Sequence, residues 1–232
     1  MKIGVAFSGS GAGAAAANVF ADELQKRSVA VNMLSATSLA AVPSLLWSRG
    51  AGPEELEELM TLFSASAAPR LGLRQLDKMG MFRAPAVCDL AVSCVDASTG
   101  ITVIYSDTLH SDAWNLKVLP LSGNEPAALA CALSPYRDSE PFVREGMRLC
   151  DFSVRYGCPF FPLKMAGMER ILSVSFSGGD SPAQVAADTL SALTGKNADL
   201  HYDLRFGGAD IPEQIRAFVE EHTAEIYEKL LF

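Results

Sequence analysis

The chain opens on a short apolar run, Ile3-Gly4-Val5-Ala6-Phe7, which passes directly into Ser8-Gly9-Ser10-Gly11-Ala12-Gly13. That pattern predicts a buried strand ending in a glycine-rich loop. From Ala14 to Lys26 the period lengthens: Val19, Phe20 and Leu24 share one helical face and the charges take the other. Val29 to Met33 is a second strand, and an alanine-rich, helix-like run follows Ser38. Pro43 bends that run and Gly50-Ala51-Gly52 breaks it; Pro53-Glu54-Glu55 then starts a helix reaching Phe63. Residues 64 to 86 read as irregular or short helical structure. Leu90 to Val95 and Ile101 to Tyr105 alternate about Asp96-Ala97-Ser98-Thr99-Gly100 as a hairpin. Pro126 to Leu133 is a short helix closed by Pro135, and Met147 to Cys150 is a strand that delivers Asp151. After a loop with Gly157, Pro159 and Pro162 come a buried strand, Arg170 to Phe176, and helices over Pro182 to Leu193 and Pro212 to Phe232. The last helix carries Ile215, Phe218, Val219, His222, Ile226 and Leu230 on its apolar stripe. Alternating strands and helices predict an α/β fold, a three-layer sandwich around a central, mostly parallel sheet. No repeat, linker or break in composition divides the sequence, so one domain is expected over residues 1–232.

Composition narrows the class. Hydrophobic residues make up 49% and charged ones 20%, the balance of a chain that buries a core. The net charge of -8 disfavours nucleic acid as a partner, and disfavours electrostatic attraction to anionic lipid. Five scattered cysteines, Cys88, Cys94, Cys131, Cys150 and Cys158, form no C-x-x-C pair and read as reduced thiols of a cytoplasmic protein. The apolar start, Ile3 to Phe7, is too short for the core of a secretory signal.

The candidate chemistry sits at two strand ends. Ser38 follows the second strand and precedes a helix, with Ala36 and Ala40 two residues to either side. A nucleophile elbow needs small neighbours there, because the tight turn that presents the hydroxyl leaves no room for larger ones. The helix that follows turns unpaired N–H groups toward developing negative charge. An ordinary serine N-cap gives the same local pattern. The loop after the first strand aims backbone N–H groups at an anion, and two chemistries share that layout. Gly9-x-Gly11-x-x-Ala14 satisfies the loose dinucleotide fingerprint, yet the second strand ends in Ser35-Ala36-Thr37-Ser38 without the acid that would hold a ribose. The other chemistry is an oxyanion hole. His110, His201 and His222 lie in a polar loop, a late strand and an apolar helix face, so none completes a Ser-His-Asp triad. Neither a metal-ligand cluster nor a cofactor motif survives, and no cofactor is expected.

Taken together, Ser8-Gly9-Ser10-Gly11, Ala36-Thr37-Ser38-Leu39-Ala40 and Asp151-Phe152-Ser153 resemble, in order and spacing, the motifs of the patatin-like lipid acyl hydrolases. Pro53-Glu54-Glu55-Leu56 and the Ala130 to Pro135 segment add to the resemblance, which spans residues 3 to 177. It implies a patatin-like fold and a Ser–Asp dyad: Ser38 as nucleophile, Asp151 as base, and Gly9, Ser10 and Gly11 as the oxyanion hole. The implied substrate is a lipid or small acyl ester, with transient contact at a membrane surface; the oligomeric state is left open. The sequence departs from the family pattern at four places. Gly13 stands where the family has arginine or lysine, Ser10 replaces a glycine, Cys131 a serine, and Phe152 and Ser153 the glycines after the aspartate. Two expectations follow, an active serine esterase or a catalytically silent relative that binds acyl chains or a protein partner.

Overall fold

The computed structural model describes the chain except residues 10, 66–68, 135–139 and 179–180, and except the side chains of residues 53, 61–65 and 69–71. The expected end of the Pro126 helix at Pro135 therefore lies outside the described residues. In chain order the elements are β1 (Ile3–Gly9), a 3-10 turn (Ala12–Ala16), α1 (Ala17–Lys26), β2 (Val31–Ala36), a 3-10 turn (Ser38–Ala40), α2 (Ala41–Ser48), α3 (Pro53–Ala65) and α4 (Pro69–Lys78). Then come β3 (Asp89–Asp96), β4 (Thr102–Tyr105), β5 (Leu116–Leu119), α5 (Glu125–Ala132), β6 (Phe142–Arg144), β7 (Met147–Asp151), α6 (Ser153–Tyr156) and α7 (Phe161–Met165). The chain closes with β8 (Arg170–Phe176), α8 (Pro182–Gly195), β9 (Leu200–Leu204), α9 (Ile211–Glu221) and α10 (Thr223–Leu231).

The fold class is the expected one: α/β, with a nine-stranded, mostly parallel mixed sheet between helical layers. Its main path runs β5-β4-β3-β2-β1-β8-β9, and β7, flanked by β6, pairs antiparallel with β3. Strand alternation sorts side chains onto two faces. From β1 and β2, Ile3, Val5, Phe7, Leu34 and Ala36 enter the larger core, beneath α1, α2 and α5. Ala6 and Met33 point the other way and join Ala91, Ile104, Leu163 and Ile171 in a smaller one. Every residue of β1 is buried, as a central strand covered on both faces must be.

The structure moves several sequence boundaries. The second strand runs from Val31 to Ala36 rather than Val29 to Met33, because Leu34, Ser35 and Ala36 pair with β1 on one side and β3 on the other. Ser38 consequently lies two residues past the strand. The expected terminal helix is two helices. His222 separates them with φ −96 and ψ 7, its ring stacked on Phe218 at 4.0 Å and its Nδ1 2.9 Å from the Phe218 carbonyl. The short strands β5 and β6 were not anticipated.

His201, on β9, packs where α8 ends. Its Nδ1 lies 2.7 Å from Ser173 Oγ, and that hydroxyl donates to the Gly195 carbonyl at 2.8 Å. With the serine proton committed there, Nδ1–H is the donor to Ser173. Burial holds the imidazole below its ordinary value of 6.5. The unfolded chain therefore binds this proton more readily than the folded one, so the His201 contribution is complete above pH 6.5 and is lost as pH falls from there through the lowered value of the folded imidazole. Chemical denaturation of wild type and His201→Gln across about pH 7 to 5 should show the steeper acid loss in wild type.

Candidate active site

The glycine loop is shaped by how closely it approaches β8. Gly9 has φ +112, and a Cβ there would lie 2.2 Å from the Phe176 carbonyl oxygen. At Gly11 a Cβ would lie 2.4 Å from the Ser177 carbonyl oxygen. Only glycine fits either position without displacing backbone. The Gly11 amide donates to the Phe176 carbonyl at 3.1 Å, so in this conformation it is engaged by β8 rather than offered to an oxyanion. Gly9 ends β1 beside Phe176, and Ser10 lies outside the described residues. Gly13 faces aromatic rings: a Cβ there would sit 2.8 Å from both Phe176 and Phe206, which explains why a long cationic side chain has no room.

Ser38 heads the 3-10 turn that leads into α2, and its φ is +57. A left-handed backbone at a residue with a Cβ is strained, and such strain concentrates at sharp turns that expose a side chain. Thr37 occupies the N-cap position without a side-chain cap bond, so the hydroxyls of this turn are not used for capping. Ser38 Oγ instead donates to Asp151 Oδ2 at 2.5 Å, across 113 residues of sequence. Ala36 and Ala40 are fully buried on either side, as the tight turn requires.

Asp151 arrives at the end of β7 and lies opposite Cys94 of β3. Its backbone amide donates to the Ser134 carbonyl. The carboxylate is ringed by hydroxyls. Thr37 Oγ1 lies 2.6 Å from Oδ1 and 3.0 Å from the Ser93 carbonyl oxygen. Ser153 gives its amide to Oδ1 at 3.0 Å and its hydroxyl to Oδ2 at 2.7 Å. Ser153 Oγ also stands 3.0 Å from Ser38 Oγ. Burial pushes the Asp151 carboxyl above its ordinary range, and the hydrogen bonds from Ser38, Thr37 and Ser153 oppose that rise. The thiols beside Asp151 are poor competitors as nucleophiles, since burial lifts Cys150 to about 11 and Cys94, opposite Asp151 on β3, well above its ordinary value.

The altered aspartate motif does not impose the strain its side chains suggest. Phe152 has φ −61 and ψ −35, and the chain turns directly into α6. The positive φ falls instead at Gly157, at +74, which closes that helix. Thr37 and Ser153 were not singled out from sequence. Asp-x-Ser is a side-chain-to-backbone turn signature, and that signal pointed to Ser153. Beside the loop, an apolar cavity of about 340 Å³ is lined by Ala12, Ala15, Ala16, Leu56, Met60 and Ile211 among others.

No protein-family model matches the chain, and no curated protein matches it in sequence. Among solved structures it is similar to VipD from Legionella pneumophila, at 10% identity and a TM-score of 0.49, over 78% of this chain and 50% of that one. It is similar also to the heterodimeric ExoU–SpcU complex from the type III secretion system of Pseudomonas aeruginosa, at 12% identity and a TM-score of 0.49, over 100% of this chain and 52% of that one. The chain thus spans about half the length of the solved chains it matches.

Two consequences of this geometry can be measured. A buried carboxyl with a raised pKa favours the protonated folded state, so its ionisation destabilises the fold as pH rises above the ordinary carboxylate value of 3.8. Asp151→Asn should gain stability relative to wild type across that rise, the gap widening until the raised pKa is passed, as read by denaturation against pH. Separately, Ser38→Gly should be about 1 kcal/mol more stable than Ser38→Ala, since glycine alone relieves the left-handed backbone.

Proposed function

We propose that the protein is a serine acyl hydrolase acting on lipid or small acyl esters through a Ser38–Asp151 dyad. The observation that carries this reading is the 2.5 Å hydrogen bond from Ser38 Oγ to Asp151 Oδ2 at a strained strand-to-helix turn. Asp151 takes the Ser38 proton as Oγ attacks the ester carbonyl carbon. The alcohol then leaves with that proton, and water, deprotonated in turn by Asp151, releases the acid and restores Ser38. A base near neutrality serves both directions, and burial of Asp151 raises its pKa toward that range. The oxyanion falls to the amides of Gly9 and Ser10 and to that of Leu39, in the first turn where a helix leaves N–H groups unpaired. The Gly11 amide joins them once it leaves the Phe176 carbonyl. The apolar cavity beside the loop suits an acyl chain. Five unpaired, buried cysteines support a reducing, cytoplasmic setting.

A second reading, a silent relative that binds acyl chains or a protein partner, is favoured by one observation, the engagement of the Gly11 amide by β8. A fluorophosphonate probe separates the two, because only an activated serine reacts. Labelling should map to Ser38, vanish in Ser38→Ala and slow by orders of magnitude in folded Asp151→Asn. An unlabelled wild type would favour the silent protein, and wild-type labelling in Asp151→Asn would remove Asp151 from the mechanism.

A further inference from the structure

The cavity beside the glycine loop lies between the start of α1, the helix α3 and the start of α9. Ala12, Ala15 and Ala16 form one wall, and their short side chains leave the space open. Leu56 and Met60, one turn apart on α3, form a second, and Ile211 at the head of α9 a third. Ala12 follows Gly11 directly, so the cavity begins at the loop to which the proposed function assigns the ester oxygen. An apolar hollow of this kind, with few polar groups, fixes a ligand's orientation through those few.

One wall residue breaks the pattern. Asn18, the second residue of α1, lines the cavity and is 3% exposed. Among the described residues, nothing hydrogen-bonds to its side-chain amide. Asn32, Asn124 and Asn197 are all more exposed, yet each spends its side chain on a group of the chain. Buried polar groups are normally paired, and leaving one unpaired is costly. Asparagine is also a weaker helix former than leucine, and Asn18 does not cap α1, whose N-cap is Ala16. For the fold alone, an aliphatic side chain would serve better at this position. A local choice that works against the fold marks a place where a ligand is held.

We propose that the cavity takes an acyl chain bearing a hydroxyl group, and that Asn18 selects it. A chain of methylenes alone would drive water from the amide and offer nothing in return. A hydroxyl answers both ends of that amide, accepting from its N–H and donating to its carbonyl oxygen. The apolar walls hold the rest of the chain. This assignment rests on the acyl-ester reading for the chemistry at Ser38 and narrows its substrates to esters of hydroxy acids, and it is tested without turnover.

The experiment titrates the full chain carrying Ser38→Ala with methyl decanoate and with methyl hydroxydecanoates whose hydroxyl is moved carbon by carbon. At one position or more the hydroxy ester should bind roughly tenfold more tightly than methyl decanoate, the scale of one buried polar group left unpaired. Asn18→Leu in that background should reverse the order, methyl decanoate gaining and the best hydroxy ester losing. Asn18→Ala removes the amide without adding bulk and should erase the preference, which keeps the test open if leucine disturbs the packing. Binding of neither ester, no hydroxy ester tighter than methyl decanoate, or a preference that survives both substitutions overturns the proposal. A preference that depends on Asn18 in a protein whose wild-type Ser38 takes no fluorophosphonate overturns the hydrolase and leaves the cavity assignment intact. Labelling of Ser38 without the preference does the reverse.

Discussion

A carboxylate without water must be surrounded by donors, and that demand organises the centre of this molecule. Asp151 is 4% exposed, and burying an uncompensated charge is among the largest penalties a fold can carry. Three hydroxyls and an amide, from Thr37, Ser38 and Ser153, converge on its two oxygens. Two of those donors come from the turn after β2 and the others from the start of α6. The carboxylate thereby joins two distant parts of the chain, and the position of β7 beyond the end of β2 follows from it. The strain at Ser38 is held by the same bond, with the packed alanines on either side.

Much of the architecture was legible because the strongest signals in the sequence are those of buried strands. The runs that became β1, β3 and β8 are dominated by apolar residues, and their types followed directly. The strands that escaped, Leu116–Leu119 and Phe142–Arg144, are half-buried and too short for a period to show. The second strand was cut short because Leu34-Ser35-Ala36 has no strong strand preference; paired neighbours on both sides make it a strand. The terminal helix pattern was correctly apolar, and only the ring of His222 against Phe218 marks the break.

The site was legible in part. Ser38 stands out from its strand end and small neighbours and Asp151 from the family resemblance, and the structure brings their side chains into contact. Thr37 and Ser153 were passed over, since serine and threonine are common and their role depends on a partner far away in sequence. Gly11 was grouped with its loop neighbours, because sequence cannot reveal that the Phe176 carbonyl holds its amide. A net charge of -8 is a sum over the whole chain, and how charges are grouped on the surface emerges only from the topology.

The attachment of β7 has a consequence for the order in which the molecule comes apart. Among the described residues this strand meets the sheet through the Cys94, Val95 and Asp96 pairs with β3 and the Ala97 amide on the Arg148 carbonyl, and its other neighbour is the short strand β6. β1, by contrast, is paired on both sides and buried throughout. Local opening of the β6–β7 hairpin would withdraw Asp151 from Ser38 while β1, β2 and β8 stay joined. In increasing denaturant the dyad therefore dissolves ahead of the central sheet, and amides of the hairpin exchange with solvent through a smaller opening than those of β1.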